Sequence, residues 1–130
     1  MDYLQKAKDR FKNDLFATET TGIEIMEVAE LHAKCMLYLQ PKHKNAMGAV
    51  MGGVIYTLAD FTFAVAANYD DLETVSVSGN IVFLKSTNTS VLYAEAKCVR
   101  NGRKNSFFDI DVTDDSGKLI SKVSIVGTKI

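Results

Sequence analysis

Residues 45–68 read NAMGAVMGGVIYTLADFTFAVAAN, and the rest of the chain is understood most easily from them. Two adjacent glycines, Gly52 and Gly53, open a helix-length apolar run with one carboxylate, Asp60, in its middle. Apolar residues on nearly every side of a helix mean burial on most sides in a soluble protein, so a sheet must wrap around residues 52–68. Glycine permits close approach to the backbone, and the first turn of a helix carries amides without intrahelical partners. Such a start can hold a negatively charged or polarised oxygen. Asp60, set among Tyr56, Thr57, Phe63 and Ala64, loses hydration and becomes a stronger base than a solvated acid.

Downstream lie four strand candidates, 73–84, 90–100, 105–113 and 118–128. They are separated by Thr87-Asn88-Thr89, Asn101-Gly102 and Asp114-Asp115-Ser116-Gly117, the residue types that turns and hairpins demand. Upstream, Ile23 and Ile25, then Ala29, Leu31, Ala33, Cys35, Leu37 and Leu39, alternate with polar residues, which predicts two strands with a break near 28–30. Pro41 stops the second of them and begins a polar loop leading to Asn45. Tyr3, Leu4, Ala7, Phe11 and Leu15 recur at helical spacing, predicting an amphipathic covering helix over 2–16. A strand pair, one long buried helix and a four-strand meander make an α+β plan: an antiparallel sheet curled around a central helix, in a single domain over 1–130.

The composition narrows the classes of function. With 47% hydrophobic and 24% charged residues and a net charge of −1, nothing draws the chain as a whole to nucleic acid or anionic lipid. Cys35 and Cys98 fit no metal-binding spacing and read as core thiols of a reduced, cytoplasmic protein. His32 and His43 are scattered, so neither a metal nor a cofactor is expected. The charged N-terminus is unlike a secretory leader, and the longest apolar run is short and broken by Asp60, so no membrane partner is expected.

One set of spacings is more specific. Asn45, Gly48, Met51-Gly52-Gly53 and Thr57-Leu58-Ala59-Asp60 stand in order, with Asp60 seven residues beyond Gly53 and Asn45 six before Met51. Val75-Ser76-Val77 leads to Asn80-Ile81, and Arg100-Asn101-Gly102-Arg103 precedes the last hairpin. In these features and in its element order the chain resembles the hotdog fold and, within it, the PaaI-like acyl-CoA thioesterases. The resemblance implies hydrolysis of an acyl-CoA to a carboxylic acid and free coenzyme A. It also implies a site shared across a homodimer, with Asn45 on the glycine side and Ser76 on the acid side; further assembly to a homotetramer is expected, with dimer against tetramer left open by the sequence. The chain departs from the family at Met51, which stands where the family has histidine and cannot hydrogen-bond as an imidazole does.

The chemistry suits these residues. A thioester carbonyl oxygen gains charge during attack, which the Gly52 amide can stabilise, and Asp60 can serve as base for water or as nucleophile. Eight helical residues, however, span roughly 12 Å, and groups acting on one carbonyl must lie within about 3 Å of the reacting atoms. Two chains with antiparallel central helices resolve this by setting Gly52 of one against Asp60 of the other. Gly53 and Met51 would border the substrate, and Lys85, Arg100, Arg103 and Lys104 are the candidate phosphate partners.

Plainer readings stand beside these. Gly52-Gly53 alone would make a tight turn, Asn45 could simply hold its loop, Ser76 could face water, and the basic residues could form a solvated turn. His32 reads as an exposed strand residue, and His43 is a candidate substitute for the missing imidazole. Two other functions compete: an acyl-CoA binder without turnover, because of Met51, and a dehydratase of the same fold. The dehydratase ranks last, since its acid–base pair would require a histidine beyond residue 44, and there is none.

Overall fold

The computed structural model describes residues 2–130. Six strands form one antiparallel sheet: β1 (Glu24–Ala29), β2 (His32–Tyr38), β3 (Thr74–Phe83), β4 (Val91–Asn101), β5 (Asn105–Asp114) and β6 (Leu119–Lys129). Their order across the sheet is β1-β2-β4-β5-β6-β3. The long helix α2 (Gly52–Ala67) contacts all six strands, and the short helix α1 (Tyr3–Phe11) packs on β1. The expected α+β plan is therefore the observed one.

Alternation explains the sheet. Ala33, Cys35 and Leu37 of β2, Leu92, Ala94 and Ala96 of β4, and Phe108, Ile110 and Val112 of β5 are all buried, while their neighbours are less so. They meet Leu58, Phe61, Phe63 and Val65 of α2, with Phe63 edge-on to Phe108 at 5.3 Å between ring centroids. Apolar area removed from water in this layer is the main stabilising term. Gly127 of β6 is required for it, because a Cβ there would stand 2.9 Å from the Phe63 ring and 2.7 Å from Thr74 Cγ2.

Asn68 ends α2 and ties it to β3. Its Nδ2 donates to Ala64 O and Thr74 O, and its Oδ1 accepts from the Glu73 and Thr74 amides, all at 2.8–3.0 Å. Arg10 of α1 donates to the Asn68 carbonyl at 2.9 Å, fixing the outer helix to the same corner.

Two segments differ from expectation. The helix predicted over 2–16 ends at Phe11, and a separate π-helical turn occupies Phe16–Thr21, closed by Gly22 at φ +93°. Asn13 and Asp14 favour local backbone bonding over helix continuation, and Leu15, in step with the apolar stripe, is 52% exposed. The second difference is β3: a four-strand meander predicts that it pairs with β4, whereas it pairs only with β6 at one edge of the sheet, because residues 84–90 cross over instead of closing a hairpin; Val75, Val77 and Val82 are exposed there.

Candidate active site

The loop before α2 is shaped by its own backbone and two side chains. His43 is 3% exposed, its Nδ1 accepting from the Gln40 amide at 3.0 Å and its Nε2 donating to Thr21 O at 2.8 Å. Both ring nitrogens are thereby committed to structure, and the imidazole is not a substitute for the one absent at Met51. The His43 carbonyl accepts from the Met51 amide at 2.9 Å, which aims the chain into the helix. Asn45 Oδ1 accepts from Met47 N at 2.9 Å and Ala49 N at 3.1 Å, and Gly48 turns at φ +80°. In this protomer Asn45 therefore holds the loop.

Met51 caps α2 in an extended conformation without a side-chain bond. The Gly52 and Gly53 amides that follow have no protein acceptor among the described residues. They sit at the positive end of the helix dipole, which adds to their own N–H dipoles. Glycine at 52 also admits the Phe83 ring, whose Cζ would lie 2.8 Å from a Cβ there. Beside Gly52 opens a cavity of about 510 Å³, with Ile55, Leu92 and Ile120 among its apolar walls and Lys85, Ser86 and Thr87 on its polar side.

Two turns along α2 stands Asp60, half-buried and without a hydrogen-bond donor among the described residues. Burial first, and then the negative charge of Asp14, push its carboxyl above the usual carboxylate range. Tyr56 lies one turn earlier, its hydroxyl set into the space that Gly79 of β3 leaves by having no side chain. Gly53, Tyr56, Thr57, Asp60 and Ala64 are only partly covered and form the stripe of α2 that the sheet leaves open.

Ser76 shares the helix-facing side of β3. It lies opposite Gly127 and Gly79 opposite Ile125, and the bulge between Ser76 and Ser78 puts both on the core side. Since Gly79 is level with Tyr56 and Thr74 with Asn68, Ser76 falls at about the level of Asp60.

Residues 47–121 match the family described as the Thioesterase superfamily. The chain belongs to that family. It is 33% identical to a putative esterase of Archaeoglobus fulgidus over 91% of this chain and 77% of that one. It is 27% identical to the Escherichia coli acyl-coenzyme A thioesterase PaaI over 90% of this chain and 84% of that one. The solved E. coli PaaI protein superposes with a TM-score of 0.92 at 25% identity, covering 98% of this chain and 93% of that chain. The chain is thus a PaaI-like hotdog thioesterase, a thioester hydrolase.

In this thioesterase one protomer does not bring all the predicted residues together. Lys85 follows the Phe83 end of β3, with its amide on Ile120 O at 3.2 Å. Arg100, Arg103 and Lys104 lie at the β4–β5 hairpin, level with the Thr74 end, where Lys129 Nζ donates to Gly102 O at 2.8 Å. A strand the length of β3 separates them, roughly 30 Å. His32 bridges β2 and β4 through Glu95 at 2.7 Å, away from the glycine loop. Sequence reading missed Asn68, Phe83 against Gly52, and a bond from Thr87 to Asp114. Asn68 carried the signal of an asparagine at a helix end; the other two join residues far apart in sequence and had none.

Proposed function

We propose that this thioesterase hydrolyses an acyl-CoA to a carboxylic acid and free coenzyme A in a site completed by a second copy of the chain. One observation carries the reading: unpartnered glycine amides and an unpartnered, poorly hydrated carboxylate lie two turns apart on the uncovered stripe of α2. They are too far apart to act on one carbonyl, and an antiparallel two-fold pairing sets Gly52 of each copy against Asp60 of the other. The free edge of β3 supports that pairing, since an exposed edge with a row of valines is a template for another strand. Assembly of such dimers into a homotetramer belongs to the same proposal.

The Gly52 amide donates to the thioester oxygen and holds it as the carbonyl carbon becomes tetrahedral. Asp60 takes a proton from water, whose oxygen bonds to that carbon; alternatively its own oxygen attacks and water cleaves the resulting anhydride. The C–S bond breaks, and coenzyme A leaves as the thiolate. Ser76, level with Asp60, orients the water, while Asn45 keeps the glycine loop in place. Gly53 and Met51 border the reacting group. Across the two-fold the Lys85 end of one copy falls toward the hairpin end of the other, which would gather Lys85, Arg100, Arg103 and Lys104 around the phosphates of coenzyme A. The name of the E. coli relative, acyl-coenzyme A thioesterase, supports the substrate class. Cytoplasmic residence completes the reading, supported by the two free thiols, Cys35 and Cys98.

Thiol release from a panel of acyl-CoAs by wild type and Asp60→Ala tests this. The expected result is turnover by wild type that the variant loses. Equal, background-level rates with saturable binding of intact acyl-CoA would instead establish a binding protein.

A further inference from the structure

The segment between β3 and β4, residues 84–90, walls one side of the cavity beside Gly52: Leu84 adds to its apolar lining, and Lys85, Ser86 and Thr87 form its polar side. It has no regular structure, and most of it is exposed. Its first residues are held by Ile120 O, which accepts from the Leu84 and Lys85 amides at 2.9 and 3.2 Å, and Ser90 O accepts from Leu39 N at 2.8 Å. Between these ends, residues 86–88 are tied to the rest of the fold, among the described residues, through one side chain: Thr87 Oγ1 donates to Asp114 Oδ2 at 2.7 Å.

Asp114 is built as an anchor. It is 2% exposed, at the end of β5 and opposite Leu92, which itself lines the cavity. Its Oδ1 accepts from Ser116 Oγ at 2.6 Å, Ser116 N at 3.0 Å and Lys118 N at 3.1 Å, leaving Oδ2 for Thr87. A carboxylate fixed by three donors on one oxygen cannot swing to follow the loop, so the loop must come to it. Thr87 Oγ1 also accepts from the Thr89 amide at 3.0 Å, and Thr89 Oγ1 accepts from Asp115 N at 3.3 Å. The cavity wall and the β5–β6 turn are thus one hydrogen-bonded unit.

We propose that Asp114, acting through Thr87, is the positioning residue that fixes the Ser86–Thr87 wall of the acyl pocket, the exposed Lys85 keeping its ammonium outside that wall for the phosphates, and so sets how long an acyl chain the enzyme prefers. This rests on the acyl-CoA reading above. The volume, about 510 Å³, and the apolar floor of Ile55, Leu92 and Ile120 fit a straight-chain acyl group longer than acetyl. A wall held in one place rewards each methylene that fills the space against it, whereas a loosened wall rewards none consistently.

The test is a series of straight-chain acyl-CoAs from acetyl to palmitoyl, assayed with wild type, Thr87→Val and Thr87→Ser. Valine keeps the side-chain shape and removes the hydroxyl; serine restores it. The expected result is that the ratio of kcat/KM between the preferred chain and acetyl-CoA falls about tenfold in Thr87→Val, through KM, and returns in Thr87→Ser. An unchanged length profile in Thr87→Val, a loss uniform across the series, or a loss that Thr87→Ser does not restore overturns the inference while leaving the acyl-CoA reading standing. Wild type without activity on any member overturns both.

Discussion

Two aspartates in this protein are pushed in opposite directions, and each shift has a sign that can be checked. Asp60 is raised by burial and then by Asp14, so the fold disfavours its charge. Stability from this residue is therefore greatest below the free carboxylate value and falls as pH rises from there through its folded pKa. In the proposed mechanism attack requires the ionised form, so the same shift is expected to move the acidic limb of kcat/KM above the usual carboxylate range. Asp60→Asn is expected to lower kcat/KM by about 10²–10⁴-fold while raising the melting temperature at neutral pH, measured by thioesterase assay and calorimetry on the same sample. Asp114 is held down to about 2, first by the Ser116 hydroxyl and then by that of Thr87. Its contribution is present above the free carboxylate value of 3.8 and disappears as pH falls through about 2. In urea titrations the gap between wild type and Asp114→Ala is expected to narrow as the pH is lowered from about 4 toward 2.

Elements here are legible to different degrees. The core strands could be read from their alternation and α2 from being apolar on nearly every side; β5, with Ser106, Phe108, Ile110 and Val112 buried in alternation, is the clearest case. The first helix was over-extended because Leu15 keeps helical spacing without being buried, and spacing alone cannot tell what a face will meet. Of the site, Gly52, Asp60 and the loop of Asn45 were legible because they lie within one local stretch. The Thr87–Asp114 bond spans 27 residues and Phe83 reaches Gly52 across the sheet, so only the folded chain reveals them. The β6 glycine gives a test at this scale. Gly127→Ala would push a methyl into Phe63 and Thr74 and is expected to cost roughly 1–3 kcal/mol, read from chemical denaturation, with the loss centred on the packing of α2 against β6.

At the scale of the whole molecule, the proposed mechanism gives a single protomer two halves of a site rather than one site. The open stripe of α2 and the free edge of β3 lie side by side, and covering both with a second copy would exclude water from Asp60 and pair the edge at once. The claim that the halves belong to different chains is open to a direct measurement. Gly52→Pro removes one donor amide at the first position of the helix, and Met51, at φ −64° and ψ 134°, already has the backbone that precedes a proline; because a Cβ at 52 would stand 2.8 Å from the Phe83 ring, the variant is made together with Phe83→Leu, with Phe83→Leu alone as the control. Asp60→Asn removes the proposed base. Each variant alone is expected to be inactive, whereas co-expressed one-to-one they form mixed dimers in which one of the two sites carries neither change. Acyl-CoA hydrolysis by the mixture is predicted to recover to about a quarter of the wild-type rate for random pairing; a mixture as inactive as either variant by itself would contradict the shared site.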